Sequence, residues 1–345
     1  MQLKDFDFTL PDELIAQEPT AQRDGSRLMC LKRGSGTIES RRFSDIVDYF
    51  QPGDLLILND TRVIPARLLG RKESGGKIEI FLDRRDPQAQ EHEDWLCLTK
   101  SSRPPGTGTR VELADDLRAE VLEPVDANHR RVRFFCAGDF MQRLESVGHL
   151  PLPPYIKRAD DQRDRERYQT VFAREKGALA APTAGLHFTA ALLDRLRARG
   201  VQIESLTLHV GLGTFLPVRV ENVREHRMHA EYYAIPAATA AAVNQARQAG
   251  RRVFALGTTS VRALETAAQE DGQVRPGCGQ SEIFIYPGYR FKLVDALITN
   301  FHLPRSTLLM LVAAFAGQNF VLSAYRQAVA ERFRFFSYGD CMLIV

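Results

Sequence analysis

Val253-Phe254-Ala255-Leu256-Gly257-Thr258-Thr259-Ser260-Val261-Arg262 joins a short apolar run to a hydroxyl-rich turn and then to a helical pattern. Four β-branched, aromatic and aliphatic residues ahead of a glycine read as a buried strand, and the spacing after it predicts a helix over Ser260–Gln269. The same succession recurs downstream. A strand over Leu293–Thr299 leads through Asn300-Phe301-His302-Leu303-Pro304 into a helix over Ser306–Ala316. Upstream, Thr189 reads as the cap of a helix whose Leu192, Leu193 and Leu196 share one face; Gly200 ends it, and Val201–Val210 reads as the next strand. An alanine-rich helix over Ala237–Ala249 stops at Gly250. Strands alternating with helices define an α/β architecture.

That rhythm is interrupted once. Gly53-Asp54-Leu55-Leu56-Ile57-Leu58-Asn59-Asp60 reads as a turn feeding a buried strand, after which the chain breaks into short alternating segments. Val63–Arg71 and Lys77–Leu82, separated by Glu73-Ser74-Gly75-Gly76, read as a hairpin. Strand patterns follow at Trp95–Thr99, Arg110–Leu113, Ala119–Val125 and Arg131–Cys136, with little room for helices between them. Pro151-Leu152-Pro153-Pro154-Tyr155 then forms a stiff extended link. The expected fold is therefore a discontinuous α/β sandwich domain, residues 1–60 and 151–345, with an all-β barrel domain inserted at 61–150.

The 345 residues, 44% apolar, suffice for two domains with sizeable cores. Lys+Arg 46 against Asp+Glu 43 excludes an acidic disordered chain and a histone-like polycation, so any nucleic-acid surface must be local. One such locality is residues 219–262, rich in arginine, for which a solvated face is the simplest reading. The five cysteines form no C-x-x-C pair, which argues against a zinc ribbon or a disulfide scaffold. The acidic N-terminus lacks the pattern of a signal peptide, and the longest apolar run, Leu308–Ala316, is far short of a membrane span. A cytoplasmic protein acting without a membrane is expected, and, since no long heptad pattern appears, a monomer.

Polar residues cluster where strands end. Gly257-Thr258-Thr259-Ser260 offers backbone N–H groups and hydroxyls at a helix start, suited to an anion or a ribose, although an ordinary cap by Thr259 or Ser260 would explain part of it. Arg262 sits in the first helical turn, where the helix dipole disfavours a cation that lacks an anionic partner. Asn59-Asp60-Thr61-Arg62 closes the first strand, as a ligand-contacting edge or as a self-bonded turn. His187 and His209 lie beside Gly and Thr at element boundaries. His226 and His229 are spaced for metal binding but have no H-E-x-x-H motif and no cysteine partner, so solvent-facing or cap histidines are favoured. Gly211-Leu212-Gly213 lacks the third glycine of a dinucleotide fingerprint. Phe335-Phe336-Ser337-Tyr338-Gly339-Asp340 forms an aromatic turn that would stack a base or a cation, or simply pack.

Taken together these strings resemble the S-adenosylmethionine:tRNA ribosyltransferase-isomerases of queuosine biosynthesis. The likeness is carried by Leu14-Ile15-Ala16-Gln17, Arg23-Asp24-Gly25-Ser26-Arg27, Asn59-Asp60-Thr61-Arg62-Val63-Ile64-Pro65-Ala66-Arg67, Leu152-Pro153-Pro154-Tyr155-Ile156 and Ala181-Pro182-Thr183-Ala184-Gly185-Leu186-His187-Phe188-Thr189. It continues through Thr207-Leu208-His209-Val210-Gly211, Gly257-Thr258-Thr259-Ser260-Val261-Arg262, Asp295-Ala296-Leu297-Ile298-Thr299-Asn300-Phe301-His302-Leu303-Pro304 and Phe336-Ser337-Tyr338-Gly339-Asp340. The match is weakest over Asp83–Gly138, and Cys341 stands where the family pattern has a small residue.

The resemblance implies an α/β domain carrying an inserted barrel. It also implies a reaction in which S-adenosylmethionine donates its ribosyl carbons to 7-aminomethyl-7-deazaguanine at the wobble position of tRNAs with a GUN anticodon. Epoxyqueuosine, adenine and methionine are the products. No cofactor is implied, because S-adenosylmethionine is consumed. Such chemistry asks for a base at the acidified C5′ position and a proton donor for adenine; His187, His209, His302 and Asp340 are the candidates. Substrate contacts are expected from Asn59, Asp60, Thr61, Arg62, Thr183, Gly185, Gly211, Gly213, Thr214, Thr258, Thr259, Ser260, Arg262, Asn300, Ser337 and Tyr338. Arg224, Arg227, Arg251 and Arg252 are expected to meet tRNA phosphates. A barrel-borne RNA binder without catalysis and a metal-dependent hydrolase using His226 and His229 are the competing readings.

Overall fold

Strand Leu55–Asn59 is buried along its whole length and runs parallel to a neighbour on each side, Gln202–Leu208 and Val253–Leu256. Its side chains alternate between two cores: Leu55 and Ile57 join one, Leu56 and Leu58 the other. A strand apolar on both faces must be covered twice, which is why this sequence makes a sandwich. In this computed structural model, described over residues 1–86, 89, 92–211, 213 and 218–345, the strand is central to a nine-stranded sheet. The order is Gly277–Ser281, Glu231–Ile235, Gln202–Leu208, Leu55–Asn59, Val253–Leu256, Ala296–Asn300, Cys341–Ile344, Arg27–Lys32, Thr37–Arg42.

Helices Ala237–Gln248, Thr258–Ala267, Thr307–Ala316 and Gln318–Ala330 cover one face through residues such as Val243, Val261, Met310 and Tyr325. Leu192, Leu193 and Leu196 of helix Ala190–Ala198 cover the other, beside Phe43, Ile46 and Val47 of the Phe43–Tyr49 turn. Thr189 caps its helix as expected, accepting a hydrogen bond from Leu192 N at 3.1 Å. No single helix among the described residues is long and apolar enough to cross a membrane.

The inserted domain is a closed six-stranded barrel built from Arg67–Lys72, Lys77–Arg85, Glu93–Ser101, Arg110–Ala114, Leu117–Pro124 and His129–Cys136. Inward residues including Ile80, Cys97, Val111, Ala119 and Val132 fill it, and Phe140 and Leu144 of helix Phe140–Val147 complete its core. The barrel hangs from the sheet through Thr61–Val63, which pairs in parallel with Glu175–Ala178.

Several boundaries differ from the sequence reading, and two of the shifts have a clear cause. The helix after Val253–Leu256 starts at Thr258, with Gly257 at the cap position (φ 87°) and no side-chain cap, so neither Thr259 nor Ser260 caps it. The next strand begins at Ala296, because the Glu265 carboxylate takes the N–H groups of Lys292, Leu293 and Val294 and holds that segment out of the sheet.

Candidate active site

The four parallel strands Gln202–Leu208, Leu55–Asn59, Val253–Leu256 and Ala296–Asn300 end at the same edge, where open α/β sheets bind ligands. Strand Cys341–Ile344 runs antiparallel to its neighbour and pairs Cys341 with Asn300, so the turn preceding it arrives at that edge too. A cavity of about 660 Å³ opens there. Its walls include Thr183, Thr258, Thr259, Asn300, His302 and Ser337 from the expected set, together with Tyr155, Tyr168, Phe301, Arg305 and Phe336.

Thr258 and Thr259 reach it because the left-handed Gly257 turns the chain sharply from strand into helix. Ser260, one step further, turns inward and donates to Leu256 O at 2.7 Å, a helix-stabilising bond away from the cavity. Asn300 is buried; its Nδ2 donates to Phe336 O at 2.8 Å, tying strand to aromatic turn. Phe336 itself has φ 72°, an uncommon conformation for an aromatic residue, and stacks on Tyr155 with ring centres 4.3 Å apart. The Tyr155 hydroxyl lies 2.6 Å from Ser337 Oγ. Tyr338 turns away and donates to Asp164 Oδ1 at 2.7 Å, an oxygen that Arg158 also holds.

The three candidate histidines sit in different places. His302 is on the cavity wall, 2.9 Å from Thr299 Oγ1 through Nε2, while its backbone N–H donates to the Tyr325 hydroxyl. Burial pushes its pKa down to about 3. His187 lies outside the lining residues, with Nδ1 2.7 Å from Ser26 Oγ and Nε2 buried on the Asn300 side; burial lowers its pKa to about 4, opposed by the Asn300 side chain. His209 lies beyond Gly177, with Nδ1 2.7 Å from Thr61 Oγ1 and its ring stacked on Tyr232. Its pKa is lowered by burial against the pull of Glu175 and Asp60. All three imidazoles are therefore neutral near pH 7.

Asp340 is 2% exposed and both its oxygens are engaged: Oδ1 accepts from Arg27 N and Oδ2 from Arg334 N, each at 2.8 Å. It clamps the ends of the aromatic turn and is not among the cavity-lining residues. Asn59, likewise internal, bonds both backbone groups of Leu208, and Asp60 accepts from Thr207 Oγ1 and from Arg174 Nη2. Thr61 holds His209, and Arg62 lies half-buried on the short strand beside Glu175–Ala178. Gly185 packs on Thr170 and Phe172, where a Cβ would lie 2.7 Å from Thr170 Cγ2. Gly211 N donates to Glu231 Oε1, and Gly213 packs on His229; Thr214 lies outside the described residues. Arg262 is buried and pairs with Glu231, the anionic partner its place in the helix requires.

The 219–262 arginines do not form one face. Arg224 is exposed in the segment whose Glu221 accepts from Leu3 N and whose Asn222 bridges to Gln2; Leu3 and Val218 line the cavity. Arg227 is exposed nearby in sequence. Arg251 and Arg252 precede strand Val253–Leu256 and so sit at the opposite, amino edge of the sheet. There Arg252 is spent on Asp54 at 2.5 Å and on Tyr49 O. His226 packs on Phe284, and among the described residues no group of three metal-capable side chains gathers.

Tyr168 and Tyr155 were not among the expected substrate contacts, although Tyr155 lies in Leu152-Pro153-Pro154-Tyr155-Ile156, one of the strings that carry the resemblance.

The model of the queuosine biosynthesis protein family matches residues 3–344. The chain is 61% identical over 345 residues to the S-adenosylmethionine:tRNA ribosyltransferase-isomerase of Syntrophotalea carbinolica, covering 100% of both chains. It is 60% identical over 344 residues to the protein of the same name from Geobacter sulfurreducens, again covering 100% of each. Among solved structures, the S-adenosylmethionine tRNA ribosyltransferase of Thermotoga maritima is similar at 41% identity, with a TM-score of 0.57, covering 99% of this chain and 100% of that one.

Proposed function

The chain belongs to the queuosine biosynthesis protein family, and on that premise we propose that the cavity at the carboxyl edge of the sheet receives S-adenosylmethionine beneath a bound tRNA. The protein is an S-adenosylmethionine:tRNA ribosyltransferase-isomerase, with those two molecules as substrates. Family membership sets aside both the non-catalytic RNA binder and the metal-dependent hydrolase. The finer reading is that the acceptor is 7-aminomethyl-7-deazaguanine at the wobble position of GUN-anticodon tRNAs, and that epoxyqueuosine, adenine and methionine leave. In this reading the enzyme needs no cofactor and works as a cytoplasmic monomer.

One observation carries the placement: hydroxyls, an amide and an imidazole from four separate segments open into one cavity at the edge where such sheets bind ligands. The stacked Tyr155 and Phe336 rings present π-faces suited to the sulfonium. His302 is the histidine in contact with the cavity, and being neutral it accepts rather than donates a proton. In the proposed reaction it takes a proton from the ribose C5′ that the sulfonium acidifies, leaving the electron pair on that carbon as a sulfonium ylide. His187, His209 and Asp340 act through their neighbours, orienting the walls. Arg224 and Arg227, on the rim side, meet tRNA phosphates, while Arg251 and Arg252 have no part in this face.

Incubating the protein with S-adenosylmethionine and tRNA bearing 7-aminomethyl-7-deazaguanine tests the reading. Adenine release and a matching gain in nucleoside mass are expected with that tRNA and not with unmodified tRNA. Folded protein that releases no adenine would overturn it.

A further inference from the structure

Helix Thr258–Ala267 opens on the cavity with its first donors unused. Gly257 has no side chain to cap it, and the backbone N–H groups of Thr258, Thr259 and Ser260 have no acceptor among the described residues. The three hydroxyls differ in their bonding. Thr259 Oγ1 accepts from Asn59 Nδ2 at 3.2 Å, and Ser260 Oγ donates to Leu256 O. The Thr258 hydroxyl bonds nothing among the described residues, although Thr258 is only 6% exposed and lines the cavity. A single turn of helix thus brings together three N–H donors and one O–H donor at the positive end of its dipole. A Cβ at Gly257 would lie 3.9 Å from Ala184 Cβ, so the neighbouring Thr183-Ala184 segment packs against this turn as the facing wall.

The charge of the wall points the same way. Among the described residues lining the cavity there is no Asp or Glu, His302 is neutral, and Arg305 is the one charged side chain. S-adenosylmethionine carries two cations, its sulfonium and its ammonium, and one anion, the carboxylate of its methionine portion. Buried polar groups are nearly always hydrogen-bonded, and donors are best satisfied by an ionised oxygen, which accepts roughly twice as strongly as a neutral ribose hydroxyl.

We infer that the start of helix Thr258–Ala267 binds the methionine carboxylate of S-adenosylmethionine, which accepts from the Thr258 hydroxyl and from the backbone N–H groups of this first turn. The inference rests on the reading of the cavity as the S-adenosylmethionine site. The contact is made to the portion that departs as methionine, so it fixes the sulfonium while the ribosyl carbons pass to the acceptor. A tRNA phosphate offers the same oxyanion chemistry, but a residue as deeply buried as Thr258 suits the smaller substrate.

The test is calorimetric titration of the full-length protein saturated with unmodified tRNA, which has no acceptor amine and gives no turnover. The titrants are S-adenosylmethionine and its decarboxylated analogue, which keeps the adenine, ribose, sulfonium and amine. Wild type is expected to prefer S-adenosylmethionine by at least about tenfold. Thr258→Val should bind it about tenfold more weakly and bind the decarboxylated compound as wild type does, whereas Thr258→Ser, which keeps the hydroxyl, should retain the preference. The wild-type comparison decides even where Thr258→Val does not fold. Equal affinity of wild type for the two compounds, or a loss in Thr258→Val that is the same for both, would overturn the assignment. A loss confined to tRNA binding, measured by filter binding across a salt series, would give the site to phosphate and overturn it as well. Failure of wild type to bind either compound would instead remove the reading of the cavity itself.

Discussion

Ser26 Oγ lies 2.7 Å from Nδ1 of His187, two residues far apart in the chain that meet where strand Arg27–Lys32 begins. The contact fixes the imidazole so that Nε2 faces the buried side near Asn300, the residue that opposes the burial-driven fall in its pKa. His187 thereby acts on the cavity through Asn300. Ser26→Ala is expected to lower kcat with little change in the KM for tRNA, because the wall is loosened and no tRNA contact is lost. An unchanged kcat would remove the positioning role.

Acid should destabilise the protein earlier than carboxylates alone would make it do. His187 and His302 have folded pKa values of about 4 and about 3, below the ordinary 6.5. Between those values the unfolded chain binds protons that the folded one does not, so stability is complete above pH 6.5 and falls as pH drops toward 4 and 3. Each site contributes on the order of a few kcal/mol to that fall. Thermal midpoints from pH 7 to 4 should show a shallower slope for His302→Asn than for wild type.

Asp340→Asn replaces an acceptor of two backbone N–H groups with a side chain that has one acceptor oxygen. A loss of about 1–3 kcal/mol in unfolding free energy is expected from denaturant titration. Undiminished stability with abolished turnover would return Asp340 to the role of proton donor.

Binding of tRNA should weaken steeply with salt. Arg224→Ala and Arg227→Ala should each reduce the slope of log affinity against log salt by about 1, and Arg251→Ala, at the amino edge, should leave it unchanged. A filter-binding series decides it; equal slopes for all three variants would contradict the rim placement.

Gly257 has φ 87° and ψ 153°, a region essentially reserved for glycine, although a Cβ there would meet nothing closer than 3.5 Å. Gly257→Ala therefore costs backbone strain rather than a clash, about 1–3 kcal/mol. Because relief would shift Thr258 and Thr259, the KM for S-adenosylmethionine should rise as stability falls. Loss of stability alone would show that the turn does not set the cavity wall.

The alternation of apolar strands and capped helices was legible because periodicity and caps are local: Val253–Leu256 matches to the residue, and the barrel strands differ at their ends, except that the expected Val63–Arg71 is two strands, Thr61–Val63 outside the barrel and Arg67–Lys72 within it. What chemistry-bearing residues do with their side chains was less legible. Ser260, Asp340 and Arg252 look like ligand groups in a string, yet their partners are Leu256 O, two backbone amides and Asp54. Conversely Tyr168 carries no local signal, because its place in the wall depends on strands more than a hundred residues away.

The connectivity of the sheet also sets an order of events during synthesis. Leu55–Asn59 gains its second parallel neighbour only when Val253–Leu256 has been made, whereas all six barrel strands lie within Arg67–Cys136. Domains fold as units when their contacts are available. The barrel can thus close on the ribosome while Leu55–Asn59, made before it, still waits for both its parallel neighbours, so this early-made core strand is among the last to be protected.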